Sequence, residues 1–420
     1  MAPIQNGLVE TVRGCAVALF WSAGASSLGA GIVGVGVAPG MSGSELYCIS
    51  ADGTAAGGRL DAENLTSALR WAVSGPIENL GNLAGGSVAE SHAISGDGSV
   101  IFGMFRPAVP NPTRAFRWTA ADGMQSLGNL PNGEEYEIFA TSGDGSFAVG
   151  SAAGTISVGW RQGQGLFYLD PPPGATRFFA RGISSDGSVV VGGLTSGSHS
   201  HAFRWTSLTG YQDLSTSTSP EFGATSVSGD GEVIGGALLS PSGNSRAMLW
   251  TAAFGIEDLG TGPATWTDAV ILGMNGDGSV AVGQGVNDNG GYAMLWRRDI
   301  GIVALRDYLQ SHGVNVSDWP FLFNASAVSA DGTRIVGFGR HLSDGVPRYE
   351  GFIATIDACG SADFNHDGDY GTDADIEAFF SCLAGSCCPA CGSVDFNGDG
   401  SVGTDSDIES FFRVLAGGSC

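Results

Sequence analysis

The stretch "AISGDGSV", Ala93–Val100, decides the fold, because close copies of it recur seven times along the chain. Each copy consists of a strand-like run, the sequence Ser-x-Asp-Gly (Asn replaces Ser in one copy) and a second apolar run that ends in Gly. The Asp-Gly pairs begin at Asp52, Asp97, Asp144, Asp186, Asp230, Asp277 and Asp331. Intervals of 42 to 54 residues are typical of the blades of a β-propeller and too long for the rungs of a short solenoid.

Two further strand-like segments follow each of the first six copies. The third segment ends in Trp, at Trp71, Trp118, Trp160, Trp205, Trp250 and Trp296, and the fourth is short, as in "GYQDL" at residues 210–214. Four short strands with their turns need about 40 residues, which is one blade. The Asp-Gly pair supplies the positive φ angles of a tight hairpin turn between the first two strands. We therefore interpret the repeated Asp as structural rather than catalytic.

The seventh copy lacks a fourth segment and has Phe352 in the Trp position, whereas an extra strand, within "GIVGVGVAPG" at residues 31–40, precedes the first copy. Pairing these two ends would remove exposed sheet edges. The sequence therefore predicts an all-β seven-bladed β-propeller with four-stranded blades over residues 31–357, in which the N-terminal strand completes the last blade. In the sixth copy, Leu305, Leu309 and His312 at helical spacing predict a short helix that ends at Gly313.

Charge and composition exclude several classes of function. The formal charge of −24 and the pI near 4.3 make nucleic acids and anionic membranes poor partners. All 18 basic residues are Arg, so Schiff-base chemistry and P-loop phosphate binding, which need Lys, are excluded. No apolar run has the length of a membrane span. We interpret residues 1–30, in which Arg13 precedes the apolar run "CAVALFW", as a signal peptide; the alternative is a hydrophobic first strand.

The order of motifs within the repeat carries a family resemblance. The sequence "AFRWT" occurs at Ala115–Thr119 and at Ala202–Thr206, after the Ser-x-Asp-Gly motif and before "G-x-x-D-L-G". Over about residues 32–356 the chain resembles the HAF family of bacterial extracellular repeats. The resemblance implies an exported repeat protein and carries no assigned reaction.

The C-terminal tail, residues 358–420, contains two acidic loops, "DFNHDGDYGTDADIE" at residues 363–377 and "DFNGDGSVGTDSDIE" at residues 395–409. Each has oxygen ligands at loop positions 1, 3 and 5 and Gly at position 6, as the start of an EF-hand-like calcium loop does. The predicted ligands are Asp363, Asn365, Asp367 and the carbonyl of Asp369 in the first loop, and Asp395, Asn397, Asp399 and the carbonyl of Ser401 in the second. Eleven acidic residues and one Arg in the tail repel one another without a divalent ion. The sequence predicts two bound calcium ions.

Two such loops 32 residues apart, each followed by one amphipathic segment, resemble a dockerin module, and most closely the Cys-rich dockerin-like C-termini of planctomycete secreted proteins. The resemblance implies a small α-helical calcium-binding domain and a cohesin-like or surface-anchoring protein as partner. The chain departs from the dockerin loop at position 12, where Ala374 stands in the first loop and Ser406 in the second. A one-residue insertion would make Asp375 and Asp407 the closing ligands; Asp373 and Asp405 are the alternative.

Six of the eight Cys lie in the tail, a density typical of disulfide-bonded proteins from an oxidising compartment. We therefore expect the protein to be secreted or on the cell surface, with disulfides among Cys359, Cys382, Cys387, Cys388, Cys391 and Cys420. The most symmetric pairing joins Cys391 to Cys420 and Cys359 to Cys387 or Cys388, which leaves Cys382 for the remaining one. Other pairings stay open. Cys48 is predicted to be a buried free thiol.

A ligand rim is one possible reading of the aromatic residues that stand six positions before the turn Ser. They are Tyr136, Phe178, Phe222 and Phe323. Such rings at the start of an inner strand would lie at the rim of a central channel and could stack on a carbohydrate or a peptide, with Trp266 and Trp319 extending the platform. The alternative is that the rings pack between neighbouring blades.

Two functions from different classes fit these patterns. The favoured one is an exported, non-catalytic binding or structural propeller, anchored to a partner or cell surface through the calcium-dependent dockerin-like tail. The alternative is a propeller enzyme that acts on a polysaccharide, a glycoside hydrolase or lyase delivered by its dockerin. No Ser/His/Asp order or isolated carboxylate pair stands out from the repeat.

Overall fold

The computed structural model describes residues 30–356, except residues 74, 84, 109–111, 198, 215–220, 241–242 and 344. In the tail it describes residues 364–365, 371–388, 391, 394, 396 and 402–415. Within these ranges the fold is mostly β, with 28 strands and three helices. None of the helices in the described ranges is long and apolar enough to cross a membrane.

The strands form seven groups of four antiparallel strands, called units 1 to 7 from here on. Unit 1 contains β2 (Gly43–Ile49), β3 (Ala55–Ala62), β4 (Leu65–Ala72) and β5 (Glu78–Gly81). Unit 2 contains β6 (Val88–Ile94), β7 (Val100–Arg106), β8 (Arg114–Thr119) and β9 (Gly123–Ser126). Unit 3 contains β10 (Tyr136–Thr141), β11 (Phe147–Ala152), β12 (Ile156–Arg161) and β13 (Gly165–Tyr168). Unit 4 contains β14 (Ala175–Ile183), β15 (Val189–Ser196), β16 (His199–Thr206) and β17 (Gly210–Asp213).

Unit 5 contains β18 (Glu221–Val227), β19 (Val233–Leu239), β20 (Ser245–Thr251) and β21 (Gly255–Gly260). Unit 6 contains β22 (Asp268–Met274), β23 (Val280–Asn287), β24 (Gly290–Arg297) and β25 (Gly301–Ala304). Unit 7 contains β26 (Phe321–Val328), β27 (Arg334–Ser343), β28 (Val346–Thr355) and β1 (Gly31–Gly34). A single parallel bridge links β4 to β6 and another links β12 to β14, so units 1 and 2 share one sheet, as do units 3 and 4.

The N-terminal strand pairs with the last repeat, as the sequence predicts. Strand β1 lies antiparallel to β28, from Gly31 opposite Thr355 to Gly34 opposite Phe352. Just beyond β1, the backbone N–H of Gly36 donates to Glu350 Oε1 over 2.8 Å. Glu350 is 1% exposed. The first and last ends of the repeat array are therefore joined by both strand pairing and a buried carboxylate.

The Ser-x-Asp-Gly turns share one hydrogen-bond pattern. Ser95 Oγ donates to Asp97 Oδ1 (2.7 Å) and accepts the N–H of Val100 (2.9 Å), while Asp97 Oδ1 also accepts the N–H of Ser99 (2.9 Å). The same bonds occur in the other five copies that carry Ser. In unit 6 the amide of Asn275 replaces the hydroxyl and accepts the N–H of Val280 over 3.0 Å. The repeated Asp therefore has a structural role in the turns, as the sequence predicts.

The turn geometry differs from the prediction in one respect. Only the Gly of each Asp-Gly pair has a positive φ, between 67° and 81°, and the Asp does not. The reason is that the connection is longer than a two-residue hairpin. In unit 1, Gly53 N–H donates to the carbonyl of Ser50 over 2.9 Å, and Ser50 N–H donates to the carbonyl of Ala55 over 2.8 Å. Four residues therefore make the reversal, and one left-handed Gly is enough.

The first strands of neighbouring units are in contact all the way round, including β26 with β2. Their turns are joined by backbone hydrogen bonds from each unit to the next. The donor–acceptor pairs are Ala51–Gly96, Gly96–Gly143, Gly143–Ser185, Ser185–Gly229, Asp230–Gly276, Gly276–Ala330 and Ala330–Ala51, at 2.7 to 3.2 Å. The last bond returns to the first unit, so the seven turns form a closed circuit. Small residues at these positions allow the close approach, because a Cβ at Gly96 would already lie 3.2 Å from the Gly143 carbonyl oxygen.

Every first strand contains a β-bulge three residues before the turn Ser or Asn. In unit 1 the pairing of β2 with β3 shifts between Leu46 and Cys48, and Tyr47 is the extra residue. The second strand of each unit has a Gly beside the bulge, and a Cβ on this Gly would lie only 1.9 to 2.1 Å from a first-strand carbonyl oxygen. The seven residues are Gly58, Gly103, Gly150, Gly192, Gly236, Gly283 and Gly337. A bulge re-aims the side chain of the extra residue. The Gly that ends the second apolar run of each repeat is therefore needed, because any larger residue there would clash with the first-strand backbone beside the bulge.

Apolar clusters fill the spaces between neighbouring units. Val191, Phe222 and Met248 belong to the cluster between units 4 and 5, and Leu46 and Val336 to the one between units 1 and 7. The predicted short helix is present as α1 (Leu305–Ser311), and Gly313 follows it with a φ of 78°. Its buried Leu305, Tyr308 and Leu309 extend the cluster between units 6 and 7.

The tail contains two helices, α2 (Asp373–Leu383) and α3 (Asp405–Leu415). Four buried Phe rings form its core in a nearly symmetric arrangement. Phe364 meets Phe379 edge to face at 5.1 Å, and Phe396 meets Phe411 in the same way at 5.2 Å. Phe379 and Phe411 stack on each other at 4.0 Å. Each acidic loop therefore packs its Phe on the helix that follows it, and the two helices meet through their central rings.

The disulfide pairing differs from the symmetric one. Cys382 pairs with Cys387, and Cys388 pairs with Cys391. Both pairs are local, because Gly385 with a positive φ turns the chain back after α2 and Cys391 N–H bonds to the Cys388 carbonyl in the following turn. Neither Cys387 nor Cys388 is thus available to Cys359, nor Cys391 to Cys420; Cys359 and Cys420 themselves lie outside the described residues. Cys48 is a buried free thiol, as predicted.

Candidate functional site

The predicted ligand rim is wrong for three of its four aromatic residues. Tyr136 is 1% exposed, Phe178 2% and Phe222 0%, because this position faces the neighbouring unit and belongs to the cores between units. Trp266 and Trp319 are also buried. These three residues and the two Trp therefore pack between units, as the alternative interpretation predicts.

Phe323 is half-buried for a different reason. Strand β26 has a second bulge between Leu322 and Asn324, so Leu322 takes the buried position and Phe323 is the extra residue. Its ring lies 6.0 Å from Phe321, 6.3 Å from Phe338 and 5.7 Å from Tyr349. This aromatic cluster is confined to unit 7, so it is not a rim that several units share.

A different set of side chains breaks the sevenfold repeat. It consists of the residues five and three positions before the turn Ser in units 1 to 4, and is called the first-strand belt here. Its members are Glu45 and Tyr47, Glu90 and His92, Glu137 and Phe139, and Phe179 and Arg181. Units 5 to 7 carry Gly223, Thr225, Val270, Leu272, Asn324 and Ser326 at the same positions. Charge and aromatic rings are thus concentrated on one side of the circle of first strands.

The belt is continuous from unit to unit. The ring of His92 lies 6.0 Å from Tyr47 in unit 1 and 6.1 Å from Phe139 in unit 3. The guanidinium of Arg181 in unit 4 packs over Phe139 at 4.4 Å and over Phe179 at 5.5 Å. Tyr47, His92, Phe139 and Arg181 are all bulge residues. The bulges therefore turn four successive side chains into one connected surface.

Arg59 of β3 is the cation that the carboxylates of the belt in units 1 and 2 share. It lies 2.9 Å from Glu45, 3.2 Å from Glu90 and 3.2 Å from Asp61. The hydroxyl of Tyr47 donates to Glu45 Oε2 over 2.7 Å. Burial and the neighbouring Glu45 raise the pKa of Tyr47 far above its usual value, so Tyr47 stays a neutral phenol. In this half of the belt Arg59, Glu45 and Glu90 are all ion-paired, whereas Nδ1 of His92 is buried without a hydrogen-bond partner among the described residues.

Glu90 remains ionised within this network. Burial raises its pKa, but the hydrogen bond with His92 (3.2 Å) and the charge of Arg59 outweigh that effect and hold the pKa below its usual range. A general acid that works near neutral pH needs the opposite shift. Glu90 is therefore suited to holding Arg59 and His92 in place, and not to donating a proton.

In the tail, the structure brings Asp375 and Asp407 to the inner side of their loops. Both are 0% exposed. Asp375 accepts the N–H of Asn365 (3.3 Å) and both the N–H and the hydroxyl of Thr372 (2.8 and 2.9 Å). Asp407 accepts the N–H of Phe396 (2.8 Å) and the corresponding groups of Thr404 (2.7 and 2.8 Å). Asp373 and Asp405, the alternative closing residues, are exposed.

The remaining predicted calcium ligands lie outside the described residues. They are Asp363, Asp367, Asp369, Asp395, Asn397, Asp399 and Ser401. The predicted signal peptide also falls outside, apart from residue 30. Within the described ranges, no group of three His, Cys, Asp or Glu side chains is placed to hold a metal ion.

No protein-family model matches the chain, and no curated protein matches it. Among solved structures, it is similar to TolB from Acinetobacter baumannii, with 14% identity, a TM-score of 0.43 and 62% of each chain covered. It is similar to a prolyl endopeptidase, with 12% identity, a TM-score of 0.47 and 72% of this chain aligned to 45% of that one. An oligogalacturonate lyase in complex with manganese aligns with 12% identity and a TM-score of 0.49, over 74% of this chain and 88% of its own. The chain thus spans 62% and 45% of the lengths of the first two proteins.

Proposed function

We propose that this chain is an exported seven-bladed β-propeller that binds its ligand without chemical conversion and is anchored through a calcium-dependent dockerin-like tail. The observation that carries the proposal is the closed circuit of backbone bonds between the seven turns, which ends with Ala330 N–H on the Ala51 carbonyl. A ring of seven four-stranded blades needs each turn to meet two neighbours, and this circuit supplies both contacts for every unit. The first strands, which carry the belt, contact one another all the way round.

A binding role agrees with how the acidic groups are used. The hydrogen bond from Ser95 lowers the pKa of Asp97, and the same carboxylate holds the turn together. Glu45 and Glu90 both pair with Arg59, and the lowered pKa of Glu90 does not suit a proton donor. The alternative, a polysaccharide hydrolase or lyase, needs an acid and a base at one reaction centre. Cleavage of a polysaccharide by the purified chain would contradict the non-catalytic role and support that alternative.

The tail residues fit a calcium ion by their chemistry. Asp375 and Asp407 are fully buried carboxylates that accept hydrogen bonds from backbone N–H groups and from Thr hydroxyls. A buried charge is stable when a counter-charge accompanies it, and the acidic residues of each loop supply the oxygen ligands that calcium prefers. Asn365 and Asp375 would hold one ion and Asp407 the other, together with the remaining predicted ligands. Calcium would stabilise loops that otherwise concentrate negative charge.

Export and anchoring are supported by the two local disulfides of the tail, which form in oxidising compartments. The HAF-like repeats point to the same location. A cohesin-like or surface-anchoring protein would then engage the tail, and the ring would hold a carbohydrate, a peptide or a smaller ligand away from the anchor.

Calorimetric titration of the chelator-treated full chain with calcium tests the proposal. We expect saturable uptake at both loops and loss of that uptake in the variant Asp375→Asn/Asp407→Asn. The matched control is Asp373→Asn/Asp405→Asn, which removes the same charge from exposed positions two residues away and should leave uptake nearly unchanged. A wild-type chain that takes up no calcium would contradict the anchoring mechanism, and equal loss in both variants would contradict the assignment of the closing ligands.

A further inference from the structure

The aromatic cluster of unit 7, formed by Phe321, Phe323, Phe338 and Tyr349, reaches the protein surface. Phe323 is its centre, because the other three rings lie 5.7 to 6.3 Å from it. The planes of Phe321 and Phe323 differ by only 5°. Phe321 is 45% exposed and Tyr349 is 59% exposed. Large apolar side chains that are both grouped and exposed, unlike single ones, mark binding surfaces.

Strand register places a cation between the two exposed rings. Arg340 of β27 stands opposite Phe321 of β26 and opposite Tyr349 of β28. Directly opposite residues of antiparallel strands project from the same face, with Cβ atoms about 4.5–5.5 Å apart, so the three side chains form one row across the sheet. Arg340 is exposed and takes part in no ion pair among the residues that the structure describes. By contrast, Arg348, on the opposite face, lies 2.7 Å from the Glu350 carboxylate.

The equivalent position of unit 2 has the cation without the rings. Arg106 stands eleven residues after the turn Ser of its unit, as Arg340 does, and is also exposed. Val88 lies opposite Arg106 where Phe321 lies opposite Arg340. The other units carry Asp61, Ala153, Thr195, Leu239 and Val286 at this position. The scaffold therefore does not require the rings beside the Arg, and their combination is specific to unit 7.

A ligand for this row needs a flat apolar face for the rings and an anionic group for the guanidinium. The planar fork of Arg matches a carboxylate, which can accept two parallel hydrogen bonds. A nucleic acid has flat bases and anionic phosphates but needs many cations, and the chain has 42 acidic against 18 basic residues. A peptide that adds a strand needs a free sheet edge, whereas these side chains lie on the face of unit 7.

A uronic acid unit of a polysaccharide supplies both features on one ring. The C–H groups of a sugar ring form a flat apolar face that stacks on the negative face of an aromatic ring, and the carboxylate is attached to the same sugar. The net charge of −24 repels such a chain at long range. Physiological salt screens that repulsion beyond about 8 Å, whereas the contacts at the row are shorter.

We propose that Phe321, Arg340 and Tyr349 form a binding surface for a uronate-containing polysaccharide, with sugar faces on the two rings and a carboxylate on the guanidinium. Both rings and the guanidinium are exposed on one sheet face, so an internal stretch of a long sugar chain can lie across the row. This surface lies outside the first-strand belt. The inference rests on the proposed binding role and names the chemical class of a ligand for it.

Calorimetric titration of the full chain with short oligosaccharides of hyaluronan, alginate and glucuronoxylan tests the surface. We expect saturable binding of at least one of them. Its carboxyl-reduced form, which carries CH₂OH in place of each carboxylate on unchanged sugar rings, should bind about tenfold or more weakly. Absence of binding by all three would overturn the proposal, and so would equal binding of the reduced form. Equal binding of poly-L-glutamate would mean a site for acidic peptides and would also overturn it.

Variants assign the three side chains. Arg340→Gln should weaken binding about tenfold or more and should remove the discrimination between the acidic oligosaccharide and its reduced form, which a merely structural role would leave in place. Phe321→Ala and Tyr349→Ala should each weaken binding about threefold to tenfold. All three positions are exposed, so the melting temperatures should stay close to wild type. Unchanged affinity in these variants would overturn the assignment.

Arg106→Gln is the matched control, because it removes an exposed Arg from the same repeat position where Val88 stands opposite. Equal losses in Arg106→Gln and Arg340→Gln would mean a general effect of charge and would overturn the site. Sedimentation of the wild-type chain as a dimer that Tyr349→Ala dissociates would mean that the rings bind a second copy, which would overturn it as well.

The same titration separates failure of this inference from failure of the proposed function. An oligosaccharide that binds and is then recovered in shortened form would contradict the non-catalytic role while supporting the surface. Absence of binding in a chain that takes up calcium would overturn the surface and leave the anchoring role standing.

Discussion

The Gly beside each first-strand bulge offers the sharpest test of the ring architecture. A Cβ at Gly236 would lie 1.9 Å from the carbonyl oxygen of Gly223, 3.0 Å from its carbonyl carbon and 3.1 Å from Ala224 Cα. Since real Cβ atoms essentially never come within 3.0 Å of another atom, Gly236→Ala requires the strands to separate by about 1.1 Å, the difference between 3.0 and 1.9 Å. The obstacle is backbone that is fixed by pairing of β18 with β19, so it cannot rotate away as a side chain could.

Overpacking that forces a backbone shift costs typically 1–3 kcal/mol and occasionally more. Because the clash at Gly236 is with backbone on both sides of one peptide unit, we expect a loss of about 3 kcal/mol in the free energy of unfolding. For a domain of this size such a loss lowers the melting temperature by roughly 4 °C. Gly236 lies in unit 5, outside the first-strand belt, so ligand binding does not complicate the measurement.

Gly223→Ala is the control in the facing strand. A Cβ there has no atom within 4 Å, and its φ is not in the left-handed region. Both substitutions restrict the unfolded chain equally, which favours the folded state by about 0.4–1 kcal/mol. Thermal and urea unfolding of the two variants therefore isolate the steric term. If Gly236→Ala melts within about a degree of Gly223→Ala, the bulge does not need its glycine and the explanation of the repeat is wrong.

Three further predictions concern separate parts of the chain. Ser95→Ala leaves the buried N–H of Val100 without its acceptor and should lower the free energy of unfolding by about 1–3 kcal/mol. Ser95→Asn should recover part of that loss, because Asn275 accepts the corresponding N–H in unit 6. Equal melting temperatures of the Ala and Asn variants would contradict this prediction. Burial raises the pKa of Glu350, but bonds from His341, Arg348 and Gly36 outweigh it and lower that pKa in the folded state. The ionised Glu350 carboxylate therefore stabilises the fold fully above the ordinary pKa of 4.5, and this contribution is lost as the pH falls through the lower pKa of the folded state. Between about pH 5 and 3 the wild type should lose more stability than Glu350→Gln. Mass mapping of non-reduced peptides should recover Cys382–Cys387 and Cys388–Cys391, and a bond from either pair to Cys359 would refute the local pairing.

The sequence was informative where a local pattern has a local cause. The seven turns follow from Ser-x-Asp-Gly, since Ser and Asp bond to each other and to the backbone within five residues. The helix after Ala304 follows from the spacing of Leu305 and Leu309. The pairing of β1 with β28 could be inferred from a missing strand at one end and an extra one at the other.

The sequence could not show which neighbouring unit a given side chain contacts. Tyr136, Phe178 and Phe222 share a position that alternation alone assigns to one face of a strand, but only the assembled ring shows that this face meets the next unit. The bulge reverses the alternation three residues later, so a strict period of two misassigns the residues beyond it. The signal for the belt was present in the sequence, as charged and aromatic residues three and five positions before the turn in four repeats of seven.

The scaffold and the candidate site use different positions of the same repeat, and the bulge explains how. The turn Ser and Asp are committed to hydrogen bonds, the second-strand Gly to close approach, and the small turn residues to the closed circuit. The bulge residue three positions before the turn has no partner in the second strand. In unit 5 that residue, Thr225, donates to the Ile271 carbonyl of unit 6, whereas in units 1 to 4 the same position carries a ring or a charge. Tyr47, His92, Phe139 and Arg181 occupy that position in successive units, whereas units 5 to 7 have Thr225, Leu272 and Ser326. A ligand that contacts the belt therefore meets units 1 to 4 only, and substitutions at the three remaining bulge residues should leave its binding nearly unchanged.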